Sequence, residues 1–477
     1  MMRDTALRRL LRLMFRVTAY RPPAVAVPRQ GITLSGVTVV NPGEGRRAGQ
    51  TLVVDGERIT RLFPGESHDR AGLADESYAG TYVLPGLVEM HAHIPPHERA
   101  LVNLLFLAHG VTTVRETGDA DGTTWKGRWR IQAGKVPGPR LFASGPVLDG
   151  APPYLPTSWV VRDATEARDA VATLAGRGAD FVKIHHRLST EALAGIREAA
   201  AEVGLRVVGH IPIAVPFEEA HVWDVQHLDG LVPYPQPPEG PIDYQRRWRD
   251  LDPARIAFYV RTSLEQGLVH TPTLASFDSL VRLAEGVPQD DPAVGLLPRY
   301  YRVVVWDPKI SPFPLGNVTP ELRELLQQGL ERGQAVVGEL HRAGVRLHLG
   351  TDTAAMPLVV PGASLQRELG LMVGAGLSLE AAWAAGTRAA GESLGLPLLG
   401  TVQEGAPADL LVFAQDPTRD LSALSTLQAV VAQGRLYPKT YLDEALARHR
   451  ERFERPFYDR RMAAVIRLGM KGMARRN

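Results

Sequence analysis

Eight short apolar segments, separated by alanine-, glutamate- and arginine-rich stretches of helical character, constrain the fold of this chain more than any other feature. Apolar strands that alternate with helical segments are typical of βα units, whose strands pair in parallel. The segments cover residues 87–93, 111–116, 141–145, 181–185, 206–211, 225–228, 268–274 and 346–352. Eight strands close a (β/α)8 barrel, so the sequence predicts an α/β protein built on a TIM-like barrel.

Strand patterns of a second kind flank this region. Residues 32–40 alternate apolar and small polar side chains, and residues 51–62 form two strand patterns around the hairpin-turn pair Asp55-Gly56. Similar patterns return at residues 408–413 and 428–437. We therefore predict a small β-sandwich formed by the N- and C-terminal flanks, residues 31–83 and 396–440, next to a barrel of residues 84–395. A basic segment (1–30) and a basic helical tail (441–477) complete the predicted domains.

The distribution of charge and the absence of cysteine limit the possible partners. The net charge is +2, but the first thirty residues carry +6 and the last thirty carry +7, which leaves −11 for the body of the chain. An acidic body argues against a nucleic-acid groove. Without cysteine, a metal ion would be held by histidine, carboxylate or a modified side chain.

The basic N-terminal segment has leucines at helical spacing, interrupted by arginines. These interruptions are too frequent for a signal peptide or a membrane span, so we expect a cytoplasmic protein. An amphipathic helix on a membrane surface is the alternative, but we favour a docked or solvated terminal helix.

A candidate metal site lies at the end of the first predicted barrel strand, where the segment 84–95 contains His91 and His93. Residues two apart on a strand point to the same face, and neutral imidazole is a common ligand of divalent metals. Two partly buried histidines in a strand are the alternative interpretation of this pair alone.

Four other ionisable residues lie at the carboxyl ends of later predicted strands, where barrel enzymes carry their functional groups. They are Lys183, His210, His227 and Asp352. Lys183 is one of only six lysines in the chain and lies inside an apolar strand, a poor place for a solvated cation.

These six positions, together with the run Gly-x-x-x-x-Gly-x-x-Ala-Asp-Leu at Gly400–Leu410, resemble the amidohydrolase superfamily. The similarity is to binuclear metal-dependent hydrolases related to imidazolonepropionase and the Xaa-Pro dipeptidases. It implies a homo-oligomer with two divalent ions, commonly Zn²⁺. The implied ligands are His91, His93 and Asp352 for one ion, His210 and His227 for the other, and carbamylated Lys183 between them.

The resemblance further implies hydrolysis of an amide or peptide C–N bond, in a small molecule of the dipeptide or N-acyl amino acid type. The nucleophile would be a hydroxide that bridges both metal ions, with Asp352 as the catalytic proton acceptor. The same site could hydrolyse a lactone, an ester or a phosphotriester. Lys183 argues against a mononuclear cyclic-amide hydrolase or deaminase, and the complete ligand set argues against a non-catalytic barrel.

Substrate contacts are harder to predict from the sequence. His185 shares strand parity with Lys183, Tyr234 follows the sixth strand, and His270 lies on the seventh. We take these three as candidate substrate-binding residues, although packing would explain His270 equally well. We assign His186 to a helix or loop without a ligand role. Glu89 is either a partner behind the ligands or a polar group of the barrel interior.

Overall fold

The computed structural model describes residues 23–65, 74–76, 78–96, 98–119, 122–155, 157–233, 240–287, 291–307 and 318–474. Most of the basic N-terminal segment and the candidate residue Tyr234 lie outside these ranges. In order along the chain, the strands of the described residues are β1 (Ile32–Asn41), β2 (Gly45–Asp55), β3 (Arg58–Pro64), β4 (Ala74–Glu76), β5 (Tyr82–Pro85), β6 (Leu87–Ala92), β7 (Val111–Glu116), β8 (Arg140–Ala143), β9 (Leu148–Asp149), β10 (Trp159–Val160), β11 (Val182–Ile184), β12 (Val207–Gly209), β13 (Asp224–Gln226), β14 (Val269–Thr271), β15 (Arg346–Leu347), β16 (Leu410–Phe413), β17 (Leu427–Ala432) and β18 (Arg435–Pro438).

Helices separate the barrel strands and extend past them. The α-helices of the described residues are Arg99–Ala108, Thr123–Gln132, Ala164–Gly176, Thr190–Glu202, Phe217–Ala220, Pro241–Arg249, Pro253–Glu265, Leu274–Glu285, Pro320–Arg342, Ala363–Gly374, Leu379–Ala385, Arg388–Ser393, Lys439–Phe453 and Pro456–Ala474. Two 3₁₀ turns (Val294–Leu296 and Leu421–Thr426) and a π-helical turn (Tyr301–Val305) lie between them. None of the helices within the described ranges has both the length and the apolar character to cross a membrane.

The flanks of the chain meet in one eight-stranded sheet. Its order is β18-β17-β16-β5-β1-β2-β3, and β4 pairs with β1. Strand β5 joins the two flanks, because it runs parallel to β1 and antiparallel to β16. The sheet buries a separate apolar core that includes Leu34, Leu52 and Val431. A β-module assembled from both flanks is therefore confirmed, while its domain boundaries stay predictions.

All eight predicted barrel strands form, as β6, β7, β8 and β11 to β15. They belong to two parallel sheets, β6-β7-β8 and β10-β9-β11-β12-β13-β14-β15. Backbone hydrogen bonds connect these sheets at both seams: Met90 donates to Leu349 at 3.0 Å, and Asp180 donates to Ala143 at 3.0 Å. The α/β fold of the TIM-barrel type is thus confirmed, with the short strands β9 and β10 as additions.

The barrel helices follow from their sequences. The helix Thr190–Glu202 begins at Ser189, whose side chain accepts a hydrogen bond from the backbone of Ala192, and it buries Leu193 and Ile196 at helical spacing. The long helix Pro320–Arg342 has the same kind of start at Thr319 and leads into β15. The buried apolar stripes of these helices pack against the outside of the strands, so the strand ends stay free to carry polar side chains.

A long connection lies between the seventh and eighth barrel strands, β14 and β15. Its described residues begin with the helix Leu274–Glu285 and include the π-helical turn. Tyr301 of this turn is buried and donates a hydrogen bond to the carboxylate of Glu98 at 2.5 Å, and Trp306 packs close to it. This part of the connection is therefore fixed against the start of the first barrel helix.

Candidate metal centre

His91, His93 and Asp352 come together where the first and last barrel strands end. The backbone amide of Asp352 donates to the carbonyl of His91 at 2.8 Å, which sets the register between the two segments. Nε2 of His91 and Nε2 of His93 each lie 3.2 Å from the same oxygen, Oδ1 of Asp352. Two imidazole nitrogens on one carboxylate oxygen provide the donor set that Zn²⁺ prefers in catalytic sites.

A glycine makes this close approach of strands possible. A Cβ at Gly350 would lie 2.4 Å from Cγ2 of Thr271 and 3.1 Å from Cβ of His91. Asp352 itself has a φ of 62°, in the left-handed region that is unfavourable for residues other than glycine. The strand end is therefore held in a costly conformation that brings the carboxylate over His91.

Burial controls the protonation of this group. Desolvation lowers the pKa of His91 well below its usual value, so its ring is neutral and can act as a ligand. Burial opposes ionisation of Asp352, but the two histidines that contact it hold the pKa of its carboxyl well below the usual range. At neutral pH the group consequently offers the neutral ring of His91 and the anionic carboxylate of Asp352.

Glu89 holds the backbone on both sides of this group. Its carboxyl accepts from the amide of His91 at 3.0 Å, and from the amide and hydroxyl of Thr351 at 2.9 and 2.7 Å. Burial raises the pKa of Glu89 to about 8. Of the two interpretations of Glu89, the structure supports a partner behind the candidate ligands.

Lys183 lies in the middle of β11 and is 1% exposed. Its ammonium or amine nitrogen donates to Oε1 of Gln226, on β13. Desolvation lowers the pKa of Lys183 from 10.5 to about 7, which leaves a large neutral fraction at physiological pH. A neutral amine in a buried position has the chemistry that carbamylation requires.

His210 and His227 follow β12 and β13, and their rings stack with centroids 4.8 Å apart. Nδ1 of His210 lies 2.5 Å from Oδ2 of Asp229, and Nδ1 of His227 lies 2.7 Å from the hydroxyl of Thr273. Burial lowers the pKa of both histidines. The ring of His227 also lies 4.5 Å from that of His91, so the two halves of the predicted ligand set are adjacent.

The predicted substrate contacts separate in the structure. His185 faces the candidate centre, with its ring 4.1 Å from the ring of His210 and stacked on Tyr154 at 4.7 Å. His270 is fully buried and lies away from this cluster, because its Nε2 contacts the hydroxyl of Ser263 at 2.9 Å on an outer helix. Packing is thus the role that the structure supports for His270.

Two residues that contact the candidate ligands, His186 and Asp229, were not predicted from the sequence. Nε2 of His186 lies 3.0 Å from Oδ2 of Asp229, the carboxylate that also contacts His210. Strand β11 ends at Ile184, so the alternation of side chains along a strand no longer applies to His185 and His186. The rings of both residues therefore lie next to the ring of His210. The double histidine directly after a strand and the Asp229-Gly230 turn pair were the available signals.

A buried ion pair crosses the barrel beneath the cluster. Arg115 of β7 donates to the carboxylate of Asp224 on β13, and both side chains are almost completely buried. Asp224 also accepts from the hydroxyl of Thr271 at 2.9 Å and lies 3.5 Å from Nδ1 of His348. These contacts hold the pKa of Asp224 below its usual range against the effect of burial, so the pair is ionised.

A TIM-type barrel with ionisable side chains gathered at the carboxyl ends of its strands is typical of a barrel enzyme. The model of the amidohydrolase family matches residues 82–437, and the chain belongs to that family. Amidohydrolases generally depend on metal ions. Membership also makes the protein a hydrolase that acts on carbon–nitrogen bonds, with amide bonds as the general target.

Known proteins of similar sequence and structure span nearly the whole chain. An uncharacterized protein of Mycobacterium tuberculosis (strain ATCC 25618 / H37Rv) is 25% identical over 444 residues, which cover 89% of this chain and 100% of that protein. The structure of bottromycin amidohydrolase has a TM-score of 0.68 at 22% identity and covers 91% of this chain and 92% of its own. A Xaa-Pro dipeptidase with bound methionine in its active site has a TM-score of 0.63 at 19% identity, covering 86% and 100%. These two structures show the same fold.

Proposed function

We propose that the protein hydrolyses the amide or peptide C–N bond of a dipeptide or an N-acyl amino acid, using two divalent metal ions, most commonly Zn²⁺. His91, His93 and Asp352 are the proposed ligands of one ion, and His210 and His227 are those of the other. Carbamylated Lys183 is the proposed bridge. The observation that carries the proposal is the shared contact of two histidine nitrogens with one oxygen of Asp352, adjacent to a buried lysine.

The donor chemistry of the cluster fits such a centre. Burial lowers the pKa values of His91, His210 and His227, which favours neutral imidazoles with a free lone pair. Nδ1 of His91 is buried and has no hydrogen-bond partner among the residues that the structure describes. Nitrogen and carboxylate donors without thiolates are a set that suits zinc and other first-row divalent ions.

Lys183 would become a ligand by reaction with carbon dioxide. The lone pair of its neutral Nζ forms a bond to the carbon of carbon dioxide, and the electron pair of one C=O π bond moves onto oxygen. The nitrogen then releases a proton to water, which leaves an anionic carbamate with two oxygen donors. The reaction needs the neutral amine, and the lowered pKa of about 7 supplies it near neutral pH. An arginine could not take this role because it stays protonated in proteins.

When bound, the two ions would supply a hydroxide at neutral pH and polarise the scissile carbonyl. Asp352 would accept the proton of the nucleophile on its carboxylate and deliver it to the leaving nitrogen. Its low pKa keeps the carboxylate anionic before this step. His185, which stacks on Tyr154, is a proposed contact of the substrate.

A substrate screen and a lysine variant test this function. The zinc-loaded protein should hydrolyse dipeptides or N-acyl amino acids in preference to lactones, esters and phosphotriesters. A product confined to the latter three classes would contradict the proposed bond. Metal analysis should give about two ions per chain, whereas about one would indicate a mononuclear enzyme.

Lys183→Ala should lower kcat/KM by at least about 100-fold, because the bridging ligand is lost. Lys126→Ala is the matched control, since Lys126 is exposed on an outer helix and should leave kcat/KM unchanged. Unchanged hydrolysis by Lys183→Ala would refute the bridging role.

A further inference from the structure

Three histidine rings, those of His185, His186 and His210, form a second cluster next to His227 of the candidate centre. Centroid distances are 4.1 Å between His185 and His210, 4.2 Å between His186 and His210, and 4.6 Å between His185 and His186. Each of the three offers a ring nitrogen, and these nitrogens lie within 4.8 Å of one another. All three residues are at most 9% exposed.

Asp229 contacts two histidines of this cluster, as Asp352 contacts His91 and His93. Its Oδ2 lies 3.0 Å from Nε2 of His186 and 2.5 Å from Nδ1 of His210. The contacts parallel those of Asp352 Oδ1 with His91 and His93. The pattern of two imidazoles on one carboxylate oxygen therefore occurs twice, and the second occurrence uses two residues outside the proposed ligand set.

One ring nitrogen of the cluster, Nδ1 of His185, has no hydrogen-bond partner among the residues that the structure describes. This nitrogen is buried. The ring of Tyr154 stacks on His185 and restrains its orientation. A buried nitrogen without a partner is unfavourable, and a metal ion that binds it removes this penalty.

We propose that His185, His186 and His210 form a divalent-cation site of their own, which holds an ion while Lys183 is an unmodified amine. This inference rests on the proposed function, because His210 is also a proposed ligand of the carbamate-bridged pair. An ion at the three-histidine site would thus be bound before carbamylation, and carbamylated Lys183 with His227 would then draw it toward the first ion. Three nitrogens and a neighbouring carboxylate favour Zn²⁺, Co²⁺ or Ni²⁺ over Mg²⁺ and Ca²⁺.

The competing explanation is that Asp229 only orients His210, as carboxylates commonly do behind a metal-bound histidine. His185 and His186 would then add nothing to metal affinity. The two explanations differ in a protein that lacks the lysine, because the three-histidine site needs no carbamate.

The experiment measures zinc content and Co²⁺ absorption in Lys183→Ala. After equilibration with zinc and gel filtration, this variant should keep about two ions per chain, one on each cluster. Adding His185→Gln or His186→Gln should reduce the content to about one, and the Co²⁺ visible spectrum should lose the matching share of its intensity. Adding His341→Gln, on an outer helix, is the matched control and should leave two.

A content of about one ion in Lys183→Ala alone would overturn the proposal, as would two ions in both double variants. Circular dichroism establishes that each variant is folded before its metal is counted. Hydrolysis by the wild-type protein is a separate readout, so failure of the proposed function and failure of this site remain distinguishable.

Discussion

Asp224→Asn should destabilise the barrel strongly, because it removes one charge of a buried pair and leaves the other in place. Asp224 is fully buried and accepts from Arg115 and from the hydroxyl of Thr271 at 2.9 Å. Arg115 is 1% exposed, and it also donates to the carbonyl of Met90 at 2.8 Å and to the hydroxyl of Thr271 at 3.4 Å. A neutral amide leaves this guanidinium without a counter-charge.

Removing one partner of a buried ion pair costs about 3–5 kcal/mol, most of which is the desolvation of the charge that remains. We expect Asp224→Asn to lie near the lower end, about 3 kcal/mol, since the amide oxygen can still accept one hydrogen bond. Replacing both partners, in Arg115→Met with Asp224→Leu, should recover most of the loss because no buried charge remains.

Equilibrium unfolding in urea at fixed zinc concentration, followed by tryptophan fluorescence, measures both effects as changes in midpoint at constant slope. Glu198→Gln is the control, because it removes a surface partner of Arg168 and should barely move the midpoint. A loss below about 1 kcal/mol for Asp224→Asn, or a double variant as unstable as the single one, would refute the reasoning.

Three further predictions concern the centre itself. In the metal-free protein Lys183 has a pKa of about 7, against 10.5 when it is exposed, so the unfolded chain binds more protons than the folded chain between these two pH values. The free energy of unfolding, measured in urea, should therefore rise with pH over that interval, and Lys183→Met should flatten the rise. Glu89 has a pKa of about 8 and is mostly neutral at pH 7, so Glu89→Gln should keep its zinc content, whereas Glu89→Ala should lose zinc and thermal stability. Gly209→Ala places a Cβ 2.4 Å from the carbonyl oxygen of Ile184 and should reduce both the zinc content and the stability of the protein. Gly204→Ala is the control, because its Cβ meets open space and should lower the free energy of unfolding in urea by only about 1–2 kcal/mol.

The barrel strands could be predicted because each is a short apolar run between helical segments, and burial on both faces demands such runs. The flanking sheet could be predicted because apolar and polar side chains alternate along its strands and because Asp55-Gly56 marks the turn between two of them. Strands β9 and β10 escaped prediction because two paired residues leave no periodic pattern.

The candidate site was predictable only where a side chain lies on or directly after a regular strand. His91, Lys183 and His210 satisfy this condition, and the structure brings them to one region. Asp229 does not, because His227 and Leu228 both have positive φ angles, which redirect the chain after β13. Local sequence pattern carries no information on such a reversal, so the contact of Asp229 with two histidines became visible only in three dimensions.

The pairing of β5 with β16 sets a condition on how the protein is made. Strand β5 lies in the first flank, and its partner is synthesised only after the entire barrel, as the register Pro85 to Leu410 shows. During synthesis on the ribosome, the edge of β5 that later pairs with β16 therefore stays without its partner strand for tens of seconds, and the backbone donors and acceptors of that edge are unpaired. Unpaired strand edges are sites of aggregation, so the interval before the second flank emerges is the stage at which the nascent chain most needs protection by chaperones.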